Sequence, residues 1–149
     1  MLKRLIAIVA TLMATAVGSG ACAQAIQPGK WTMTTHFLAM QTRGMPPAMV
    51  KALMEPITTE KCVTPAEAAQ GFKATMARDT DCTTKTMTIS AGMLDAVSIC
   101  KENGGTRTLH LHGPYSPVGY NLSVQATGTG PHPGSMNMTM VAKRIGSCG

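Results

Sequence analysis

Apolar and polar residues alternate through most of the second half of the chain. Residues 85–90 put Met87 and Ile89 on one side. Residues 94–101 give Val97 and Ile99 one side and Cys100 the other. Residues 106–112 set Leu109 and Leu111 against His110 and His112. Residues 118–127 align Tyr120, Leu122, Val124 and Ala126, and residues 135–145 align Met136, Met138, Met140 and Ala142. A period of two marks a strand that buries one face. The same period runs through residues 30–40, where Trp31, Met33, Thr35, Phe37 and Ala39 share a side, and residues 57–63 read as a further short strand. Turn chemistry separates the segments. Ala91-Gly92 can reverse the chain, and Asn103-Gly104 is the strongest hairpin signal, because both residues tolerate positive φ. Pro114 to Pro117 turns the chain again, and residues 128–134 hold three glycines and two prolines, which no regular element survives.

Two helical signals interrupt this pattern. Residues 48–55 carry Met49, Val50, Leu53 and Met54 on one stripe, and Pro56 ends the segment. Thr64-Pro65-Ala66-Glu67 is a helix start: Thr64 caps free backbone donors, Pro65 suits the first helical position, and Glu67 completes a capping box. Gly71 weakens that helix after about two turns, and residues 72–83 read as irregular or as a second short helix. Consecutive strands with short turns predict a mainly β domain. The expected fold is a single antiparallel meander sheet or half-open barrel of six or seven strands, with one or two short helices, stapled by disulfides. Its expected inner face holds Trp31, Phe37, Ile89, Val97, Leu109, Leu111, Tyr120, Leu122, Val124, Met138 and Met140, covered by the helix at 48–55.

The N-terminus reads as a leader. Lys3 and Arg4 precede a 13-residue apolar run, residues 5–17, and residues 18–23 are small and end Ala-Cys-Ala. This is the layout of a secretory signal peptide, with cleavage expected after Ala23. The run is shorter than the roughly 20 residues of a spanning helix. A lipoprotein reading would acylate Cys22, but Ser19 stands three residues before it where Leu or Val would be expected. The domains are then 1–23, a signal peptide, and 24–149, a single β-rich domain placed in the periplasm or outside the cell, with no transmembrane segment. Lys3 and Arg4 leave with the leader, so eleven basic residues of the original thirteen face seven acidic ones, a net +4. No Lys/Arg run exists and aromatics make up only 3% of the chain, which argues against a nucleic-acid partner.

Four cysteines remain in the exported chain: Cys62, Cys82, Cys100 and Cys148. An even number in an oxidising compartment reads as two disulfides, and the absence of any C-x-x-C pair leaves a thioredoxin-like centre or a zinc ribbon without support. Four cysteines allow three pairings and the spacing does not choose. The arrangement favoured here is Cys62 with Cys82 and Cys100 with Cys148.

Several short motifs have a familiar combination. Pro28-Gly29-Lys30-Trp31 opens the first strand, Cys62-Val63-Thr64-Pro65 follows, then Asp81-Cys82 and Cys100, and Arg144-Ile145-Gly146-Ser147-Cys148 lies at the end. Together they resemble an exported bacterial family catalogued as domain of unknown function 3617, over nearly the whole mature chain. The resemblance implies a signal peptide, a small β-rich domain and disulfides. It implies no activity and carries over no catalytic residue.

Candidate chemistry is sparse. Met136, Met138 and Met140 form M-x-M-x-M, and soft thioethers suit Cu(I), a metal handled outside the cytoplasm. Along one strand the sulfurs step by about 7 Å, wide for one ion without a bend, and packing of irregular gaps in a core poor in aromatics accounts for the same residues. His110 and His112 share a strand face opposite the leucines and could hold a metal with a third ligand, for which His36 and His132 are the other histidines. A polar, solvent-facing hairpin is the simpler account of them. Asp79 and Asp81 sit beside Cys82, where carboxylates cap turns more often than they act as a catalytic pair. Arg78 and Arg144 are read as solvent or turn residues. No nucleophile elbow, P-loop or dinucleotide glycine pattern is present. The sequence therefore points to a non-catalytic protein without a cofactor. It would bind an apolar small molecule or an envelope protein through a face lined by Met49, Leu53, Met54, Leu109, Leu111, Tyr120 and Leu122, since flexible methionines suit adaptable apolar surfaces. The alternative is an extracytoplasmic copper or metal binder using Met136, Met138, Met140, His110 and His112.

Overall fold

The structure, a computed structural model, describes residues 25–42, 45–75, 81–102, 104–130 and 133–149. The expected signal peptide at 1–23, Cys22, Arg78, Asp79 and His132 lie outside the described residues.

The alternating segments form seven strands: β1 (Gly29–Thr42), β2 (Ile57–Val63), β3 (Cys82–Ser90), β4 (Met93–Glu102), β5 (Gly105–Ser116), β6 (Gly119–Gly128) and β7 (Gly134–Gly146). They make one antiparallel sheet in the order β2-β1-β7-β6-β5-β4-β3. The sheet is an open meander: β3 through β7 run in sequence, and β7 then pairs with β1. β2 and β3 stay as the two edges. Short α-helices are α1 (Pro47–Leu53) and α2 (Pro65–Ala68), and a 3-10 helix follows at Gly71–Thr75. The expected turn at Ala91-Gly92 occurs, with φ 49° and 74°. Of the expected Asn103-Gly104 turn, Gly104 sits at φ 77° and the flanking Glu102 and Gly105 are paired, while Asn103 lies outside the described residues.

One face of the sheet carries the core. On the four central strands its buried residues include Leu94, Ala96, Ser98 and Cys100, Leu111 and Tyr115, Tyr120, Leu122, Val124 and Ala126, and Met140 and Ala142. Their registers set them side by side: Ala96 opposite Leu111, Leu111 opposite Val124, Leu122 opposite Met140. Trp31 and Val63 extend this face onto β1 and β2. The cover is α2 with the 3-10 helix, which buries Ala68, Phe72, Ala74 and Thr75 against it. Thr75 Oγ1 and Tyr120 Oη share a hydrogen bond, and Lys61 Nζ donates to Ala74 O while lying 3.3 Å from the Glu67 carboxylate. The capping box forms as expected, with Thr64 Oγ1 accepting from Glu67 N and Glu67 Oε2 accepting from Thr64 N.

Four expectations are corrected. The helix at 48–55 was expected as the cover, but α1 buries no residue and Met49 is 54% exposed. α1 only links the neighbouring strands β1 and β2, whereas the segment of α2 and the 3-10 helix runs from one sheet edge to the other and so crosses the face. Val97 points away from the core with Ile99, because the residues opposite Leu109 and Leu111 are Ser98 and Ala96. Alternation defines two faces, and only the neighbouring strand chooses which is buried. Ala39 is exposed and Met40 takes the inner position, because a bulge at Leu38 shifts the β1 register between Phe37 and Ala39. The favoured cysteine pairing is replaced by Cys62 with Cys148 and Cys82 with Cys100. Cys82 and Cys100 are direct partners across β3 and β4, and β2 lies on the far edge of the sheet from β3, out of reach of Cys82.

Candidate functional site

The two ends of the inner face differ. At one end Trp31, Leu94, Tyr115, Tyr120 and Ala142 are buried under α2 and the 3-10 helix. Burial pushes the Tyr115 hydroxyl up to about 12, with the neighbouring Tyr120 ring, 6.2 Å away, adding to it and a backbone hydrogen bond at Phe72 opposing it. Burial raises Tyr120 as well, and its bond to Thr75 opposes that rise.

The motif residues converge beside this covered end. Gly29 (φ 137°) packs so closely on β7 that a Cβ would lie 2.3 Å from Gly146 O, and Arg144 Nε donates to Pro28 O at 2.8 Å. Trp31 Nε1 donates to Gln27 O at 2.9 Å, closing the turn that enters β1. Cys62 of β2 reaches Cys148 just beyond β7. Pro28, Gly29, Cys62, Val63, Thr64, Pro65, Arg144, Ser147 and Cys148 thus enclose one shallow recess of about 320 Å³. Arg144, read from sequence as a turn or solvent residue, locks the two chain termini of the domain together.

The opposite end of the inner face is only half-covered. Its strip consists of the half-buried Phe37 and Met40 on β1, Met136 and Met138 on β7, and Leu109 on β5, with the small, buried Ala126 of β6 between Met136 and Leu109. Met40 is opposite Met136 and Phe37 opposite Met138. Leu109 and Met138 pack against the core edge. Arg107 closes the strip on β5. Its Nε and Nη2 hold both oxygens of Glu102, and its Nη1 contacts Met136 Sδ at 3.7 Å. The hydrogen bond to Glu102 raises the Arg107 pKa, and desolvation opposes it. The guanidinium is therefore charged but balanced by a carboxylate.

The residues singled out in the sequence separate into four groups. Leu111, Tyr120, Leu122 and Met140 are core, so they present no ligand face. Met49, Leu53 and Met54 belong to α1 and its C-cap, away from the buried set. Leu109, Met136 and Met138 line the half-covered strip. His110 and His112 project from the outer face, where His110 is opposite Val97 and Gln125 and His112 Nδ1 lies 3.1 Å from Asp95 Oδ2. They share no face with the methionines, so the five residues do not form one metal site. His36 follows the outer alternation of β1 opposite Thr139. Among the described residues no three His, Cys, Asp or Glu side chains form a metal-binding group. Met40 and Arg107 were not found from the sequence. Period two puts Met40 on the outer face, and no local signal announces the bulge. The Glu102–Arg107 spacing across a hairpin was the available hint for the ion pair.

Residues 26–148 match the model of the family described as Protein of unknown function (DUF3617), and the chain belongs to that family. No curated protein and no solved structure matches it. No helix among the described residues is long and apolar enough to cross a membrane.

Proposed function

We propose that this is an exported, non-catalytic protein that binds an apolar ligand along the half-covered strip of Phe37, Met40, Leu109, Met136 and Met138. The carrying observation is that this strip continues the core face without the cover that α2 and the 3-10 helix give the other end. Its side chains are flexible thioethers with one aromatic ring, a surface that adapts to irregular apolar shapes. Of the ten described methionines only Met140 is buried, whereas methionine ordinarily ranks among the buried residue types. Export is supported by the leader pattern at 1–23 and by two cysteine pairs at disulfide distance. The binding reading is preferred to a catalytic one because the sequence supplies none of the nucleophile, acid–base or phosphate-loop templates.

Native mass spectrometry of the protein purified from the periplasm tests this. The expected result is a ligand-bound species that returns to the bare chain mass on denaturation and is lost in Met138→Asp. A bare mass in the native spectrum, with no partner recovered by cross-linking, would overturn the reading. A cross-linked envelope protein with no small ligand would replace it by the protein-partner reading.

A further inference from the structure

We infer that the thioethers of Met40, Met136 and Met138 form a Cu(I) site at the half-covered end of the inner face. The inference stands apart from the apolar-ligand reading, since it needs only the placement of three sulfurs.

The M-x-M-x-M run alone makes a poor site, because it spaces its sulfurs along one strand. The bulge changes this. Leu38 adds one residue to β1 between Phe37, opposite Met138, and Ala39, opposite Asn137, so that Met40 arrives opposite Met136 on the inner face. Directly opposite residues hold their Cβ atoms about 4.5–5.5 Å apart, and the diagonal neighbour, here Met138 to Met40, is about 7 Å away. Three rotatable bonds per methionine let sulfurs on that triangle converge on one ion. Bulges re-aim side chains in this manner next to functional sites.

The ligand chemistry selects the metal. Neutral thioether sulfur prefers soft Cu(I) and is a poor ligand for Mg²⁺, Ca²⁺ or Mn²⁺. The three residues are half-buried, reachable by an ion yet partly shielded from water. Met140 is excluded, being 8% exposed and packed opposite Leu122 and Thr35. His110 and His112 are excluded by face. Among the described residues, Arg107 is the cation seen in contact with a sulfur of the site. Glu102 balances its charge, and its Nη1 contact occupies one lone pair of Met136 Sδ while leaving the other free for the ion.

The experiment is anaerobic titration of the protein, expressed as the full chain with disulfides intact, with Cu(I) in competition with a chromophoric Cu(I) chelator. The expected result is one ion per chain, with affinity lowered at least about tenfold in each of Met40→Leu, Met136→Leu and Met138→Leu. Met140→Leu, Met93→Leu and the double change His110→Ala with His112→Ala should bind as the parent does. X-ray absorption of the loaded protein should show sulfur alone around the copper. Leucine closely matches methionine in volume, and near-ultraviolet circular dichroism verifies that each variant keeps its fold. No uptake against the chelator, uptake unchanged in the three leucine variants, uptake lost with the histidines, or nitrogen in the copper shell would each overturn the site.

Discussion

Met40 and Met136 face each other across the β1–β7 pair because β1 carries one extra residue at Leu38, which moves Ala39 to the outside. Leu38 itself is 51% exposed and contributes nothing to the core. Deleting Leu38 restores plain alternation from Phe37 to Ala39 to Met40 and keeps Met40 inward. The expected stability change is within about 1 kcal/mol, measured by urea unfolding, with a Met40–Met136 methyl contact retained by nuclear magnetic resonance. Replacing Leu38 by two residues, such as Leu-Ser, allows plain alternation with Met40 still inward but slipped along β7 to face Gly134 instead of Met136, and should abolish that contact.

The two disulfides brace opposite ends of the sheet and close loops of different length, 86 and 18 residues in separation. The chain-entropy relation gives about 4.5 kcal/mol for Cys62–Cys148 and about 3 kcal/mol for Cys82–Cys100. Paired serine substitutions should destabilise in that order in denaturant titrations. Cys62 and Cys148 are exposed whereas Cys100 is buried, so a small thiol reductant should open Cys62–Cys148 first, as read by alkylation and peptide mass mapping.

Two turns give opposite responses to a change in side chain. Gly29→Ala places a Cβ 2.3 Å from Gly146 O at a positive φ, and should cost about 3 kcal/mol or more while loosening the Arg144–Pro28 contact. Ala91 is a non-glycine residue at φ 49°, a conformation costing about 1 kcal/mol for alanine. Ala91→Gly or Ala91→Asn should therefore raise stability by up to about 1 kcal/mol, measured by thermal unfolding.

Tyr115 and Tyr120 make the fold sensitive to alkali. Burial favours the neutral phenol, pushing Tyr115 from 10 up to about 12 and Tyr120 in the same direction. A folded value above the unfolded one means the contribution is fully present below about pH 10 and is lost as pH rises through about 12. Spectrophotometric titration should show little phenolate at pH 10.5 in the folded protein, then ionisation together with unfolding. Normal titration near pH 10 without unfolding would contradict the buried placement of both rings.

Lys61 ties the cover to the edge strand through Ala74 O and Glu67. Lys61→Met keeps the stem and removes the charge, and should cost about 1–2 kcal/mol. Its signature is faster amide exchange confined to residues 65–75, with the central strands unchanged.

The sequence by itself determined the elements. Period-two runs defined six of the strands and residues 57–63 read as the seventh, Ala91-Gly92 and Asn103-Gly104 marked the tight hairpins, and Thr64-Pro65-Ala66-Glu67 the capped helix, because each is encoded within a few residues and obeys backbone sterics alone. The motif combination around Pro28–Trp31, Cys62–Pro65 and Arg144–Cys148 likewise identified the family. Tertiary structure decided what local pattern leaves undetermined. Val97 and Ala96 both alternate, and the burial of Ala96 follows from Leu111 on the next strand. Cys62 reaches Cys148 because β7 pairs with β1, a contact between chain ends that no spacing encodes. The helix over the core is α2 with its 3-10 extension, because that segment bridges the two sheet edges, whereas α1 only returns β1 to β2. Met40 turned inward through a single added residue, and a register shift of one exchanges the two faces of everything beyond it.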